Sequence, residues 1–221
     1  MKINGQMSES IPLGFILVFS GGFMDAYTYM CRGGVFANAQ TGNILLFGVN
    51  ISKGNISDSL RYLFPVLMFT AGIFISECVK NRHKFNRNIH WRQITTLLEA
   101  FILFAVMFIP QNLNIIANSL VSFACGIQVE SFRKINGTGF ATTMCIGNLR
   151  TATEAVSNYF FTGDKQMKAK SLLIYSVIAV FIVGAVCGNF AVEMYKERAI
   201  FISSMLMAVC FLLMFLKGDT Q

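Results

Sequence analysis

The segment FANAQTGNILLFG, Phe36–Gly48, contains two different kinds of sequence. Its first eight residues are mostly small or polar, and its last five are apolar apart from a glycine. Thirteen helical residues extend about 20 Å, which is less than the roughly 30 Å of a bilayer's hydrocarbon core. The segment is too short to cross a membrane and too apolar for a surface loop. It therefore predicts a half-helix that begins inside the protein.

The composition around this segment is that of a membrane protein. Of the 221 residues, 54% are hydrophobic and 13% are charged, whereas a soluble domain has about 25% charged residues. Six apolar runs of about 15 to 22 residues are close to the length that spans a bilayer. These runs are Ile11–Met30, Tyr62–Val79, Ile94–Ile109, Ile115–Val129, Ser171–Val192 and Ala199–Leu216. The sequence predicts an all-α polytopic membrane protein with about six transmembrane helices.

Charge and cysteine usage limit the expected partners. The net charge of +7 fits basic loops that orient the chain and contact anionic lipid headgroups. The expected partner is therefore the lipid bilayer and not a nucleic acid. The six cysteines are scattered, with no CxxC pair and no histidine at ligand spacing, so we expect them to pack as small apolar residues. We expect no metal and no other cofactor.

Two stretches of the chain resemble each other, which indicates an internal repeat. They are Gly21–Asn43 and Cys125–Asn148, related by a shift of 105 residues. The shift superposes Gly21 on Gly126, Asp25 on Glu130, Tyr27 on Phe132, Gly34 on Gly139, Gly42 on Gly147 and Asn43 on Asn148. Later apolar runs also fall on one another. We expect one membrane domain, residues 1–221, built from repeats at about 11–110 and 115–217.

The short segments Phe36–Ile51 and Phe140–Tyr159 decide the topology. If each segment spans the membrane, each half has an even number of crossings and the repeats are parallel. If each re-enters or only dips, each half has three crossings and the repeats are inverted. The loop Lys80–Arg92 carries five Lys/Arg residues and both histidines, which favours a cytoplasmic position for it.

Basic residues of the second half favour the inverted alternative, because they are cytoplasmic only if the second short segment does not cross. They are Arg133, Lys134, Arg150, Lys165, Lys168 and Lys170. We expect six spanning helices, two oppositely oriented broken or re-entrant segments, and both termini in the cytoplasm, where Lys217 also lies. The alternative has seven or eight spans and places three of the lysines outside.

Two carboxylates lie near the ends of predicted spans at equivalent repeat positions, Asp25 and Glu130. A charge at bilayer depth is costly and needs a partner, a water-filled cavity or protonation. One alternative is a salt bridge. Asp25 has Arg32 seven residues on, while Glu130 has Arg133 and, at the favourable i+4 spacing, Lys134. The other alternative is a place in a solute path, for which Asp25 is the stronger candidate.

Polar residues mark the start of each short segment. They are Thr41-Gly42-Asn43 in the first half, and Gly147-Asn148 with Thr142 and Thr143 upstream in the second. We expect two half-helix starts whose free N–H groups and positive dipole ends face the interior. This arrangement is typical of channels and secondary transporters. Alternatively, the Thr and Asn side chains only cap a helix after an ordinary loop.

Three further residues are candidates. Tyr27 follows the first acid and either anchors at the membrane interface or lines a solute path. Arg150 replaces the apolar Leu45 of the first half; it either adds positive charge on the cytoplasmic side or binds an anionic group. Glu99 has no acidic counterpart in the other half, and it either pairs with Arg92 or joins a proton path.

The stretch from Ser20 to Asn43 resembles the YoaK family of bacterial integral membrane proteins. Members carry G-x-x-D near the first helix, followed by G-x-x-F-x-x-x-x-T-G-N. The matching positions are Gly21 or Gly22, Asp25, Gly33 or Gly34, Phe36 and Thr41-Gly42-Asn43. The second half departs from the pattern at Ile146, which replaces the hydroxyl residue. The resemblance implies a multi-pass inner-membrane protein with about six spans and no established activity.

The expected function is passage of a small solute through a channel or transporter; the sequence does not specify which solute. Asp25 and Glu130 are expected to tune or couple transport. The half-helix starts at Thr41–Asn43 and Gly147–Asn148 are expected to form the central site.

Two other classes of function remain open. A membrane enzyme needs a nucleophile–base pair or a metal cluster, and both histidines, His83 and His90, lie in the basic loop, so we expect no enzyme. An accessory or structural membrane subunit is the stronger alternative, with the acids as simple salt bridges. A homo-oligomer is compatible with either membrane function.

Overall fold

The computed structural model describes residues 10–83, 90–135, 138–139 and 142–216. Within them the chain forms eight α-helices and one antiparallel pair of two-residue strands, Lys134–Ile135 with Thr138–Gly139. The helices are α1 Ile11–Cys31, α2 Gln40–Ser52, α3 Ile56–His83, α4 Trp91–Val106, α5 Asn114–Ser131, α6 Cys145–Thr162, α7 Lys165–Tyr195 and α8 Phe201–Leu216. Short 3-10 helices precede α5, at Gln111–Leu113, and α8, at Lys196–Ile200.

The all-helical fold class is confirmed, and each of the six predicted apolar runs lies largely within one helix. The two short segments also form helices, α2 and α6. Parts of several predicted features lie outside the described residues: Phe140, Lys217 and residues 84–89 of the basic loop.

Four stretches of the described chain are long and apolar enough to cross a membrane. They are Ile11–Cys31, Ile56–His83, Gln111–Ser131 and Lys165–Phe215, the last of which contains both α7 and α8. Large apolar side chains lie on the outer surface, among them Phe74, Phe190 and Leu212, each more than half exposed. An apolar surface of this kind suits contact with lipid. The protein is therefore a membrane protein.

Glycines allow the long helices of the two halves to pack in close pairs, α1 with α7 and α3 with α5. A Cβ atom on Gly22 of α1 would lie 2.1 Å from the carbonyl oxygen of Phe181 on α7. A Cβ atom on Gly72 of α3 would lie 2.2 Å from that of Phe123 on α5. Any larger residue would force these backbones apart, and such small-residue faces are typical of membrane helix pairs.

The core lies around α1 and α5, which bury the largest share of their residues. Phe23 and Tyr27 of α1 and Val121 and Cys125 of α5 are at most 1% exposed. The remaining helices pack around this centre: α4 lies against α5 and α8, α2 against α3, and α6 against α7. In α2 only Asn43 is buried, so the other side chains of this helix are at least partly exposed even where it packs on α3.

Candidate functional site

The chain reverses direction sharply after α1. Gly33 and Gly34 have φ angles of +84° and +74°, a left-handed conformation that residues with a Cβ atom rarely adopt. The N–H group of Gly34 donates to the carbonyl oxygen of Tyr29 at 3.0 Å. This turn sends the following residues back along α1, so that the start of α2 lies beside the middle of that helix.

Asp25 holds this returning segment through its carboxylate. Its Oδ1 accepts a hydrogen bond of 2.8 Å from the backbone N–H of Asn38, and the backbone N–H groups of Ala37 and Ala39 also interact with it. The amide group of Asn38 in turn donates to the carbonyl oxygen of Gly21 at 3.0 Å. The N-cap residue of α2, Ala39, has no side-chain cap. Asp25 therefore supplies from α1 an acceptor for the backbone of the turn that precedes α2.

Asp25 does not form the salt bridge with Arg32 that one interpretation of the sequence proposed. The guanidinium of Arg32 is fully buried and donates to three neutral oxygens. These are the Tyr27 hydroxyl at 2.8 Å, the Asn114 side-chain oxygen at 3.2 Å and the Val106 carbonyl at 3.3 Å. Arg32 thus joins α1 to the end of α4 and the start of α5.

Tyr27 belongs to that same junction. Its hydroxyl donates to the carbonyl oxygen of Glu197 at 3.0 Å while accepting from Arg32. The side chain is fully buried. The structure therefore places Tyr27 in a hydrogen-bonded helix junction inside the protein.

The residues of the T-G-N motif hold the turn before α2. The side chain of Asn43 donates to the carbonyl oxygen of Phe36 at 2.7 Å and accepts from the N–H of Phe36 at 3.1 Å. The ring of Phe36 lies so close to Gly42 that a Cβ atom there would come within 2.9 Å of it, and the ring stacks on Tyr29 at 4.9 Å between centroids. Asn43 closes the turn and does not cap α2 in the ordinary way.

The start of α6 is supported differently. Its N-cap residue, Met144, makes no side-chain cap bond. The hydroxyl oxygen of Thr142 accepts a hydrogen bond of 3.2 Å from Gln128 of α5, and the same Gln128 amide donates to the carbonyl oxygen of Leu17 at 3.1 Å. Asn148 is buried, as is its repeat partner Asn43. Gln128 therefore ties the second helix start to α5 and α1.

Glu130 is paired with a base, as the salt-bridge alternative proposed. Its Oε2 accepts from Nε of Arg133 at 3.0 Å and also from the terminal nitrogen of the same guanidinium. The side chain of Lys134, the other proposed partner, lies outside the described residues. Glu130 is nearly fully buried, whereas Arg133 is exposed.

A cavity of about 870 Å³ brings the two helix starts together. It is lined by Asp25, by Thr41 at the start of α2 and by Gly147 at the start of α6. Most of its remaining wall is apolar, including Phe181 and Phe190 of α7. Asp25, Thr41 and Gly147 are thus the predicted site residues that line one common cavity.

The other predicted site residues lie elsewhere. Glu130, Tyr27, Gly42, Asn43 and Asn148 are all outside the cavity lining. Arg150 is exposed on α6, where it pairs with Glu154 at 2.8 Å. It lines a separate hollow of about 480 Å³.

The cavity also contains polar residues that were not among the predicted site residues, although Thr143 was noted upstream of the second helix start. Asn38 and Thr143 are buried, and neither the Asn38 Oδ1 nor the Thr143 Oγ1 has a hydrogen-bond partner. Both residues line the cavity. Asn189 of α7 also lines it, and a single asparagine inside the apolar run Ser171–Val192 was a sequence signal that pointed to a polar contact.

The lengths of the helices, the apolar surface and the shared cavity together define the class. It is a polytopic α-helical membrane protein in which two short helices begin at one common cavity. The chain belongs to the family described as Protein of unknown function (DUF1275), whose model matches residues 13–213. It is 28% identical to UPF0700 transmembrane protein YoaK of Bacillus subtilis (strain 168) over 185 residues, which are 76% of this chain and 80% of that protein. The YoaK-like resemblance is thereby confirmed. No solved structure matches the chain.

The Asp25 contact leads to a stability prediction. Asp25→Ala should lower the free energy of unfolding by about 1–3 kcal/mol, because it leaves buried N–H donors without an acceptor. Asp25→Asn keeps a side-chain oxygen at that place, so it should lower the free energy of unfolding by less than Asp25→Ala does. Titration with dodecyl sulfate, followed by circular dichroism, measures both changes.

The matched control is Glu154→Ala, which breaks the exposed pair with Arg150. It should alter stability by no more than about 0.5 kcal/mol, as is usual for surface ion pairs. An equal loss in Asp25→Ala and Glu154→Ala would mean that the Asp25 carboxylate does not hold the turn.

Proposed function

We propose that this protein passes a small solute across a bacterial inner membrane, as a channel or transporter. The observation that carries the proposal is the shared cavity: one carboxylate and the starts of two short helices line a single apolar hollow. Small-molecule sites are typically mostly apolar cavities with a few convergent polar groups.

The chemistry of the two helix starts supports this function. Neither α2 nor α6 has a side-chain cap, so each presents backbone N–H groups and a positive dipole end at its first turn. Non-helical backbone at membrane depth is tolerated where it is buried in protein or lines a cavity. The turns before Gln40 and Cys145 meet that condition, since residues from both line the hollow.

The polar groups of the cavity suit a solute that both donates and accepts hydrogen bonds. Asp25 and the free Oδ1 of Asn38 are acceptors, while Thr143 has a hydroxyl that can act in either role. In the proposal these three residues, with Thr41 and Gly147, contact the solute. Glu130 and Arg150 lie away from the cavity and stabilise or orient the chain.

We further propose six spans in two inverted repeats with both termini in the cytoplasm. The first residues of α2 and α6, Gln40 and Cys145, are 105 residues apart, the same shift that relates the two sequence repeats. The pairing of helices also supports a two-fold relation, because α1 packs on α7 as α5 packs on α3. With 16 residues each, α4 and α8 extend about 24 Å, which is close to spanning length. In this proposal the chain is a single membrane domain, with repeats at about 11–110 and 115–217.

The inverted arrangement gives the two short helices opposite directions from the cavity. In this arrangement α2 runs toward the outside and is followed by Lys53, whereas α6 runs toward the cytoplasm and is followed by Lys165. The lysines of α7, beginning with Lys165, are then cytoplasmic, in agreement with the positive-inside rule.

The flux prediction concerns purified protein in liposomes. The test uses matched neutral, anionic and ammonium-like solutes. In stopped-flow light scattering, at least one of them should enter liposomes that contain the protein faster than it enters protein-free liposomes. A charged methanethiosulfonate should slow this entry in a variant that keeps only Cys145, which lines the cavity. Asp25→Asn should also slow the entry of the solute, and this variant should still elute as a folded protein.

The control is a variant that keeps only Cys187, which is exposed on α7 outside the cavity lining. The same reagent should leave its flux unchanged. If no solute enters faster than in empty liposomes, or Cys145 modification and Asp25→Asn leave entry unaltered, the cavity is not a solute path and an accessory role is favoured.

The topology prediction uses single cysteines at two lysines in a cysteine-free background. An impermeant maleimide should label Lys53→Cys in intact cells and label Lys165→Cys only after the membrane is opened. Labelling of both from the same side would instead support parallel repeats with spanning short helices.

A further inference from the structure

The side chains that line the cavity carry charge of one sign. Among the described residues, Asp25 is the one charged side chain of the lining, which contains no lysine, arginine or histidine. Two further acids that the fold buries, Glu99 and Glu130, lie outside the lining. Asp25 itself is only partly buried. A positively charged ligand in this cavity therefore meets a side chain of opposite charge and none of like charge.

Two unpartnered oxygen atoms belong to residues of the same cavity. Oδ1 of Asn38 and Oγ1 of Thr143 have no hydrogen-bond partner among the described residues, and both side chains are at most 2% exposed. The two residues occupy equivalent positions, because the shift of 105 residues that relates the repeats superposes Asn38 on Thr143. Buried polar atoms without partners are rare and require an explanation. A ligand that donates hydrogen bonds from the cavity explains both atoms.

The free capacity of these side chains is for accepting hydrogen bonds. The amide nitrogen of Asn38 donates to the carbonyl oxygen of Gly21 at 3.0 Å, so the free atom of this side chain is its oxygen. A carboxylate accepts up to about four hydrogen bonds, and the N–H groups of the turn do not fill the capacity of Asp25. The Thr143 hydroxyl accepts as well as donates. A group with three N–H donors can satisfy all three side chains.

The rest of the wall suits an apolar or aromatic body attached to that group. The rings of Tyr29 and Phe36, which stack at 4.9 Å between centroids, line the cavity, and aromatic faces attract cations. The volume of about 870 Å³ is that of a site for a molecule much larger than an ammonium ion. Met30, Ile146 and Phe190 also line it and are each more than half exposed. The cavity therefore opens on the apolar outer surface of the bundle.

The two helix starts provide the strongest argument for an anion instead, because a helix N-terminus favours negative charge. At α2, however, the Asp25 carboxylate already accepts from the turn that precedes the helix, and it repels a second anion there. The first turn of α6 has no acidic residue, so one helix start remains. A helix start stabilises an anion less than charge-assisted hydrogen bonds stabilise a cation. The balance favours a cation.

From these observations we propose that the cavity binds an organic ammonium ion, a protonated primary amine on an apolar or aromatic body. Its N–H groups donate to the Asp25 carboxylate, to Oδ1 of Asn38 and to Oγ1 of Thr143, and its body contacts the aromatic wall. This assignment rests on the proposed function, because it names the class of solute that the cavity takes. Binding is nevertheless measurable without any flux.

Protection of Cys145, which lines the cavity, tests the assignment in purified protein in lipid nanodiscs. Methyl methanethiosulfonate modifies the thiols, and peptide mass spectrometry measures the rate at each cysteine. The probes share one phenylbutyl body: phenylbutylamine, phenylbutyltrimethylammonium, phenylbutanol and phenylbutanoate. Phenylbutylamine should protect Cys145 at concentrations about tenfold lower than the other probes do, because only it combines positive charge with N–H donors.

Cys187 is the internal control, because it is exposed on α7 outside the cavity lining. A probe that only dissolves in the lipid should slow the modification of Cys145 and Cys187 alike. Bound phenylbutylamine should slow the modification of Cys145 and leave that of Cys187 unchanged.

Three variants assign the binding to named side chains. Asp25→Asn should abolish the preference for phenylbutylamine over phenylbutanol. Thr143→Val keeps the shape of the side chain and removes a hydroxyl that bonds to no described residue, so it should fold normally. It should raise the concentration of phenylbutylamine that gives half protection by about three- to tenfold. The matched control, Glu154→Gln, removes an exposed carboxylate outside the cavity lining and should leave protection unchanged.

The assignment is overturned if phenylbutanol or phenylbutanoate protects Cys145 as well as phenylbutylamine does, or if Cys145 and Cys187 are slowed equally. It is also overturned if folded Thr143→Val is protected as the wild type is. These outcomes are separate from those of the flux experiment. If phenylbutylamine protects Cys145 but no solute crosses, the ligand class stands and the proposed transport fails; if another solute crosses and phenylbutylamine gives no protection, the reverse holds.

Discussion

The contact between the Asp25 carboxylate and the backbone N–H groups of the turn before α2 is the interaction on which the site depends. A helix that begins inside a membrane protein presents N–H groups that water cannot satisfy, and each such group costs free energy unless it finds an acceptor. The turn before such a helix carries N–H groups under the same constraint, and here another helix supplies the acceptor, with Asn38 donating to Asp25 at 2.8 Å. The acid that positions α2 is thereby also the acid at the cavity wall.

This contact requires close packing elsewhere in the fold. The glycines at the α1–α7 and α3–α5 contacts let long helices approach to backbone distance, and the pair Gly33-Gly34 returns the chain to α1. The two halves then differ in detail. Asp25 bonds to backbone, whereas its repeat partner Glu130 pairs with Arg133, and Gln128 supports the second helix start through Thr142. The cavity consequently has one carboxylate, supplied by the first half.

Much of the fold was predictable because the length of an apolar run depends only on residues that are neighbours in the sequence. The apolar runs became helices, and the polar starts of two short segments marked the beginnings of α2 and α6. The partners of the polar residues were not predictable, because they depend on distant packing: Arg32 bonds to Asn114, 82 residues away. Asn43 was expected to contribute to the central site or, alternatively, to cap a helix, but its side chain closes the turn at Phe36. The span count also stays a proposal, because α4 and α8 have only 16 residues.

The central claim is that α2 and α6 begin at the same cavity. A variant with Thr41→Cys and the native Cys145, and with serine at the other cysteines, places one thiol at each helix start. A short bifunctional thiol reagent should bridge this pair within one molecule, detected by mass spectrometry as one reagent attached to two thiols. The pair Thr41→Cys with Cys187 should give only separate adducts. Separate adducts on the first pair, or equal bridging in both, would contradict the shared cavity.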